Sequence, residues 1–333
     1  MTRICIYPRV ESMGGVGSFR LKFTEGLTAR GMEVTNEIND SRPDFILLLA
    51  GTKNLPALWR ARQRGIPIIQ RLDGINWVQR VRRTGFRYHL RAEYGNANLA
   101  FIRRFLADKI IYQSEFTRQW WEDWYGKTRL PNTAIHNAVD LNVYHPSPRS
   151  DDFAQAHFSV SRPEKYRLLL VEGSMAGGLD VGLRWAVKLA ENLAGVLPIE
   201  LLVVGRVDES RKADILANAK AAVNFLGVVP REAIPDIDRS AHLYFSAEVN
   251  PPCPNAVIEA LACGLPVLGF ETGSLAELVP PNRPLWRRCL ETGRTRPQRI
   301  DGSRTENFDP PARISTRRAP TRRRKSRLGA DGG

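Results

Sequence analysis

Short apolar runs alternate with segments of helical periodicity along most of the chain. Runs of apolar, β-branched and aromatic residues predict buried strands, and apolar residues spaced three and four apart predict amphipathic helices. The predicted strands are RICIY, DFILLLAG, IPIIQRL, DKIIYQS, TAIHNAV, RLLLVEG, IELLVVG, VNFLG, HLYFS and PVLGF. The predicted helices are Ser18–Ala29, Leu55–Arg64, Phe116–Tyr125, Leu179–Ala194, Ser210–Ala222 and Ala256–Cys263. This alternation, with short connections, indicates doubly wound parallel sheets of the α/β class.

A polar segment rich in Pro and Ser, LNVYHPSPRSDDFAQAHFSVSRPEKY, separates two such alternations and predicts an interdomain linker. A chain of 333 residues has room for two domains. We expect a first Rossmann-like domain at residues 1–145, a linker at 146–165, a second, incomplete Rossmann-like domain at 166–282 and a tail at 283–333.

The net charge of +14 is concentrated in the tail. From Arg283 onward there are 15 Lys and Arg against 5 Asp and Glu, which leaves a net charge of only +4 for the preceding 282 residues. The body therefore has the composition of an ordinary globular protein. A nucleic-acid-binding protein that acts through its tail is a weaker alternative, and its binding would fall steeply with salt.

The four cysteines are widely separated and lack Cys-x-x-Cys spacing. Neither a disulfide framework nor a zinc site follows, which favours a reducing cytoplasm. The apolar run in MTRICIYPRV is too short for a signal peptide, and no run approaches the roughly 18 residues of a membrane span.

The clearest chemical signal lies in the segment HLYFSAEVNPPCPNAVIEALACGLPVLGF. A strand opens through a proline-rich loop onto a helix, and Glu259 lies about one turn into that helix. Free N–H groups at such a helix start bind ligands, and a carboxylate there suits a pair of sugar hydroxyls better than a phosphate. The alternative is an ordinary buried βαβ unit in which Glu259 is a solvated helix residue.

The run from Glu259 to Val267, EALACGLPV, resembles the nucleotide-sugar signature of the retaining GT-B glycosyltransferases of family four. That signature places a first Glu eight positions before the second, where this chain has Pro251; Glu248 lies three residues earlier. The resemblance extends over roughly Thr2 to Val279. It implies two Rossmann-like domains facing a cleft, a nucleotide-sugar donor bound by the second domain, and no cofactor.

Two features of the first domain fit this resemblance. Gly14 and Gly15 follow the first strand, where glycines let a backbone approach a phosphate, although a tight turn or a dinucleotide loop would also place them there. Asp73 follows IPIIQRL where many relatives carry His; a turn-capping role with Gly74 is the alternative. Asp73 and Glu259 are the predicted catalytic residues, and Gly15, Asp73 and Asn76 are predicted to face the acceptor.

The second domain supplies most of the donor contacts implied by the resemblance. Relatives bring cations to the diphosphate, and Arg206 is the nearest candidate here. The residues predicted to bind the donor are Gly14, Gly15, Gly173, Ser174, Arg206, Val229, Pro254, Asn255, Ala256 and Glu259. The five histidines are scattered and form no cluster with metal-ligand spacing, which predicts metal-independent chemistry.

The segment from Trp77 to Lys109 interleaves arginines with aromatic residues. This composition suits an anionic membrane surface or a phosphate-bearing lipid acceptor, and a solvated basic face is the alternative. We expect a glycosyltransferase of polysaccharide biosynthesis with a glycan or lipid-linked acceptor, cytoplasmic, with peripheral membrane contact and no nucleic-acid partner. A non-catalytic GT-B relic is the main alternative, since Pro251 and the unusual C-terminus both depart from the family pattern.

The Arg- and Pro-rich sequence after about Pro280 predicts a disordered tail rather than the C-terminus of the family. Arg283–Gly293 can be encoded so that a frame one base later reads VPYGGDAWKL, which resembles what family members carry next. We therefore expect a truncation or reading-frame shift, which sequencing of the gene would decide.

Overall fold

The computed structural model of the protein describes residues 1–10, 14–39, 42–81, 83–146, 165–175 and 180–279. All of them fall within one compact unit that spans residues 1–291. The predicted linker, apart from its two end residues, lies outside the described residues. So does the predicted tail, with the proposed frame shift.

The first domain is built on a six-stranded parallel sheet. Its strands are β1 (Arg3–Tyr7), β2 (Glu33–Thr35), β3 (Phe45–Leu49), β4 (Ile68–Leu72), β5 (Lys109–Tyr112) and β6 (Asn132–Ala134), in the spatial order β2-β1-β3-β4-β5-β6. The helices are α1 (Gly15–Thr28), α2 (Leu55–Gln63), α3 (Val78–Val81), α4 (Phe86–Phe105) and α5 (Glu115–Tyr125).

The second domain is built on a five-stranded parallel sheet. Its strands are β7 (Tyr166–Ser174), β8 (Ile199–Arg206), β9 (Ala222–Gly227), β10 (Leu243–Ser246) and β11 (Val267–Gly269), in the order β11-β10-β7-β8-β9. The helices are α6 (Val181–Ala194), α7 (Glu209–Asn218), α8 (Ile234–Ser240), α9 (Asn255–Ala262) and α10 (Leu275–Leu278), and a 3₁₀ turn at Arg231–Ala233 precedes α8. The predicted pair of doubly wound domains is confirmed.

The strands of the second sheet are apolar on both sides because helices cover both faces. Leu168 and Leu170 belong to one buried cluster with helix α6, whereas Leu169 belongs to another with helix α9. A buried parallel sheet of this kind produces the continuous apolar runs that the sequence shows. The packed helices and strands form a rigid scaffold, and the loops at the strand ends can form a binding site.

Several elements differ from the sequence prediction, which contains neither strand β2 nor helix α3; the differences at β6 and α4 have a clear physical cause. Strand β6 ends at Ala134 rather than continuing through Val139, because the following residues bond to the second domain: Asn137 Nδ2 donates to the Cys253 carbonyl at 2.9 Å. Helix α4 was not predicted as a helix. Its solvent face carries Tyr94, Phe101 and Phe105, all exposed, which hides the amphipathic pattern that helix prediction relies on.

Candidate functional site

Each sheet reverses its strand order at one point, and both reversals face the same cleft. In the first sheet the reversal lies between β1 and β3, and in the second between β7 and β10. Ligands of open α/β sheets bind beyond the carboxyl ends of the strands at such switch points. The loop after β10 and the start of α9, where the sequence places its clearest signal, therefore lie at the expected position.

The loop after β10 is fixed by packing that excludes a carboxylate at position 251. Pro251 is buried, and its carbonyl accepts a hydrogen bond from the Ser274 N–H at 2.9 Å. Gly273, at φ +64°, lies so close to Pro251 that a Cβ there would collide with it. Glu248 is exposed in the same loop, and partial desolvation raises its pKa. The family's first glutamate thus has no counterpart at this position of the loop.

Glu259 lies one turn into α9 with only 8% of its surface exposed. Its Oε1 accepts a hydrogen bond from Lys22 Nζ at 2.9 Å, across the cleft from helix α1. The structure therefore does not place Glu259 on a solvated helix face. The sequence did not single out Lys22, although its position seven residues after Gly15 puts it on the same face of α1.

The glycine loop of the first domain meets the start of α9. Gly14 is the N-cap of α1, and Gly15 is its first residue. Asn255 Nδ2 donates to the Gly15 carbonyl at 3.5 Å, a long hydrogen bond across the cleft. Two sequence-predicted donor residues from opposite domains are thus brought together. Pro254 is the N-cap of α9, and Ala256 follows Asn255 in its first turn.

Asp73 lies at the carboxyl end of β4, where burial raises the pKa of its carboxyl group against the opposing charge of Arg71. Its backbone carbonyl accepts a hydrogen bond from Trp121 Nε1 at 2.8 Å. The Asn76 side chain is engaged by Asn96 of helix α4. Its Nδ2 donates to Asn96 Oδ1 at 3.1 Å, and the Asn76 backbone carbonyl accepts from Asn96 Nδ2 at 2.8 Å. The structure therefore gives Asn76 a role in holding the loop after β4.

Arg71 is a cleft residue that the sequence analysis missed. Its guanidinium is buried 3.6 Å from the centre of the Phe19 ring and donates to Asn137 Oδ1. Desolvation lowers its pKa to about 10, with the charge of Asp73 opposing that shift. A charged residue inside the apolar run IPIIQRL was the signal that could have identified it, because buried charges are rare without a function or a partner.

The remaining predicted donor residues lie around the rim of the second sheet. Gly173 and Ser174 are exposed at the end of β7, and Arg206 is exposed at the end of β8, in register with Ser174. Val229 is half-buried and packs against the apolar cluster beneath α9. The structure thus places Arg206 at the edge of the cleft and gives Val229 a packing role.

Two carboxyl groups, those of Glu172 and Glu248, influence each other near this rim. Burial, with a further contribution from Glu248, raises the pKa of Glu172 to about 7. Glu172 lies within the irregularity of the β7–β8 pairing between Val171 and Ser174, and Gly205 on the facing strand has φ +130°. A Cβ at Gly205 would overlap the Glu172 carbonyl, so only glycine fits there.

The two domains are held together by a carboxylate that the sequence did not identify. Glu277 accepts hydrogen bonds from the backbone N–H groups of Glu115 (2.9 Å) and Phe116 (2.6 Å), at the start of α5. It also bonds His136 Nε2 at 2.9 Å. A negative charge at a helix N-terminus is favourable because the unpaired N–H groups point toward it. Glu277 therefore fixes the second domain against the first at one end of the cleft.

Comparison with known proteins identifies the second domain. Residues 167–292 match the family model described as glycosyl transferases, group 1. Over these residues the second domain is similar to the group 1 glycosyltransferases. The prediction of a glycosyltransferase is thus confirmed at the level of the enzyme class, while the activity of this chain stays a prediction. A search of curated proteins found no match.

Solved structures share the fold over most of the chain. The sucrose-phosphate synthase of Thermosynechococcus elongatus superposes with a TM-score of 0.61 at 18% identity, covering 84% of both chains. Anabaena HepE, in complex with UDP-glucose, gives a TM-score of 0.59 at 17% identity and covers 84% of this chain and 83% of its own. A single-residue mutant of Staphylococcus aureus TarM, in complex with UDP, fondaparinux and alpha-GlcNAc-glycerol, gives 0.54 at 13% identity, covering 73% of this chain and 45% of its own. These similarities confirm the predicted GT-B fold.

Proposed function

We propose that this protein transfers a sugar from a nucleotide-sugar donor to a glycan or lipid-linked acceptor, with retention of anomeric configuration and without a metal or cofactor. The observation that carries the proposal is the position of Glu259. It is a buried carboxylate one turn into a helix at the topological switch point, facing the glycine-started helix of the other domain. Such a carboxylate accepts hydrogen bonds from a pair of ribose hydroxyls.

The chemistry would come from positioning and from N–H donors rather than from a nucleophile. The start of α9 at Asn255 and the start of α1 at Gly15 face each other across the cleft, so both helix termini can stabilise the negative charge of a departing diphosphate. Asp73 and Arg71 lie at the carboxyl end of β4, on the side where we place the acceptor. The complexes of HepE with UDP-glucose and of TarM with UDP support a uridine donor.

The proposal is tested by a thermal-shift screen of the full chain against UDP-glucose, UDP-N-acetylglucosamine, GDP-mannose, UDP and GDP. A ligand that binds only the folded state raises the unfolding midpoint with its concentration. We expect one nucleotide series to stabilise the protein, and Glu259→Gln to weaken that binding by about 1–3 kcal/mol, the scale of a lost charged hydrogen bond. Stabilisation of wild type and variant to the same extent would remove Glu259 from the site.

A protein that binds none of these nucleotides would be the catalytically inactive GT-B relic instead. If a donor is found, NMR of the product linkage then decides between retention and inversion. A reaction rate unchanged by a chelator would support metal independence.

The exposed face of helix α4 supports a peripheral contact of the protein with an anionic membrane, from the cytoplasmic side. Its solvent face carries large apolar side chains together with arginines, namely Phe86 (75% exposed), Leu90 (52%), Tyr94 (58%), Phe101 (43%), Phe105 (56%), Arg87, Arg91 and Arg104. Aromatic residues at an interface with cations beside them bind anionic headgroups. Within the described residues, no helix is long and apolar enough to cross a membrane.

Vesicle co-sedimentation tests this contact. The protein is expected to bind vesicles containing phosphatidylserine, to bind phosphatidylcholine vesicles weakly, and to be released by high salt. Replacing Tyr94 and Phe101 together by Ser should reduce the binding, whereas Trp59→Ser, at an exposed position of helix α2, should not. Equal binding to neutral vesicles, or none to either, would contradict the contact.

A further inference from the structure

Helix α1 presents one row of side chains to the second domain. Gly15, Ser18 and Lys22 are spaced three and four residues apart and therefore share one face of the helix. Their partners are Asn255, Arg231 and Glu259: the Gly15 contact is 3.5 Å, Arg231 Nη2 donates to Ser18 Oγ at 3.0 Å, and the Lys22 ion pair is 2.9 Å. These three contacts fix the position of α1 against the second domain and place the Lys22 ammonium beside Glu259.

We propose that Lys22 is a positioning residue for the donor: its ammonium holds the buried carboxylate of Glu259 in the orientation that accepts the ribose hydroxyls. The inference rests on the proposed function and deepens it. It assigns to the first domain a contribution to nucleotide binding that acts through the second domain.

The surroundings of Glu259 show why a cation is needed there. Asp238, on α8, is 1% exposed, and within the described part of the chain neither of its carboxyl oxygens has a hydrogen-bond partner. Desolvation, with a contribution from the charge of Glu259, raises the pKa of Asp238 to about 8, against the opposing charge of Arg239. Two carboxyl groups therefore share one poorly solvated pocket, and Lys22 supplies the positive charge beside Glu259.

The ion pair leaves part of Glu259 available. The side chains of Lys22 and Glu259 are 23% and 11% exposed, so the pair is screened from water on most sides. Lys22 bonds Oε1, and among the described residues no hydrogen bond engages Oε2. The Tyr144 ring lies 5.4 Å from the Lys22 ammonium and limits its movement. A carboxylate with one oxygen anchored and one open is suited to receive a diol in a single orientation.

The test compares ribonucleotides with deoxyribonucleotides. Binding of UDP, 2′-deoxy-UDP, GDP and 2′-deoxy-GDP is measured by calorimetry for the wild type, Lys22→Met and Lys22→Arg. In Lys22→Met we expect the affinity for the preferred ribonucleotide to fall by about tenfold, and its preference over the 2′-deoxy form to shrink toward unity. Lys22→Arg should restore part of that preference. Lys212→Met, which breaks the surface pair with Glu209 on α7, is the matched control and should change neither value.

The outcomes separate the two proposals. An affinity that is unchanged or higher in Lys22→Met, or that falls equally for the ribo and deoxy forms, would overturn the positioning role, because a general structural defect or a direct phosphate contact affects both forms alike. If Lys22→Met does not fold, Lys22→Gln carries the same comparison. Failure of the wild type to bind any of the four nucleotides would instead overturn the proposed function, and this inference with it.

Discussion

Removing the charge of Glu277 should weaken the junction between the two domains. In Glu277→Gln the side chain keeps its length, but its amide can accept only one of the two N–H groups at the start of α5, which now lie 2.9 and 2.6 Å from the carboxylate. The second N–H then faces an amide NH₂ group and loses its acceptor. The favourable interaction between the charge and the helix terminus is lost as well, as is the charged partner of His136.

The size of the effect follows from these contacts. One backbone donor left without an acceptor costs about 1–2 kcal/mol, and a charge lost at a helix N-terminus costs about 0.5–1 kcal/mol. Because the Glu277 side chain is 23% exposed, water can replace part of the loss, and we expect a decrease of about 2 kcal/mol in the free energy of unfolding. For a domain of this size the thermal midpoint should fall by about 5 °C.

The assay is thermal unfolding followed by circular dichroism, with Asp123→Asn as the matched control. Asp123 is an exposed carboxylate in the last turn of the same helix, where a negative charge is not favoured, so its removal should leave the midpoint unchanged or slightly higher. Equal midpoints for Glu277→Gln and the wild type would refute the reasoning, since they would mean that the start of α5 does not depend on this carboxylate.

Three further changes test other parts of the structure. Gly205→Ala should destabilise the second domain far more than Gly227→Ala, because both glycines have positive φ but only Gly205 faces a carbonyl within contact distance; equal urea midpoints would argue against this. Asp238→Asn should be more stabilising, relative to wild type, at pH 9 than at pH 5. Folding raises the pKa of Asp238 to about 8, so the free energy of unfolding of the wild type decreases as the pH rises from about 4 to 8. A difference in unfolding free energy between variant and wild type that stays constant across that range would contradict the raised pKa. Arg71→Lys should cost about 1–3 kcal/mol in urea unfolding, since an ammonium cannot both stack on Phe19 and bond Asn137 in the same plane; an unchanged midpoint would show that charge alone suffices.

The architecture of this protein could be predicted from local sequence pattern. Buried parallel strands leave continuous apolar runs, and α9 leaves a helical run ended by Gly264 and Pro266, so the two doubly wound domains could be predicted from local pattern. The position of Glu259 at the start of a helix followed from the same local rules. In α4, aromatic residues occupy the solvent face and obscure the amphipathic pattern, so this helix was not predicted from the sequence.

The contacts between side chains across the cleft could not be predicted from local pattern. Lys22 and Glu259 are 237 residues apart in the chain, and Glu277 is 162 residues from the backbone it binds. Neither pair leaves a periodic signal, because a contact between domains depends on the docking of two sheets rather than on the propensity of either segment. The same holds for Arg71 and Asp238, because their pKa values depend on burial and on neighbouring charges that only the folded structure provides. The chemistry of the cleft is therefore a property of the docked domains.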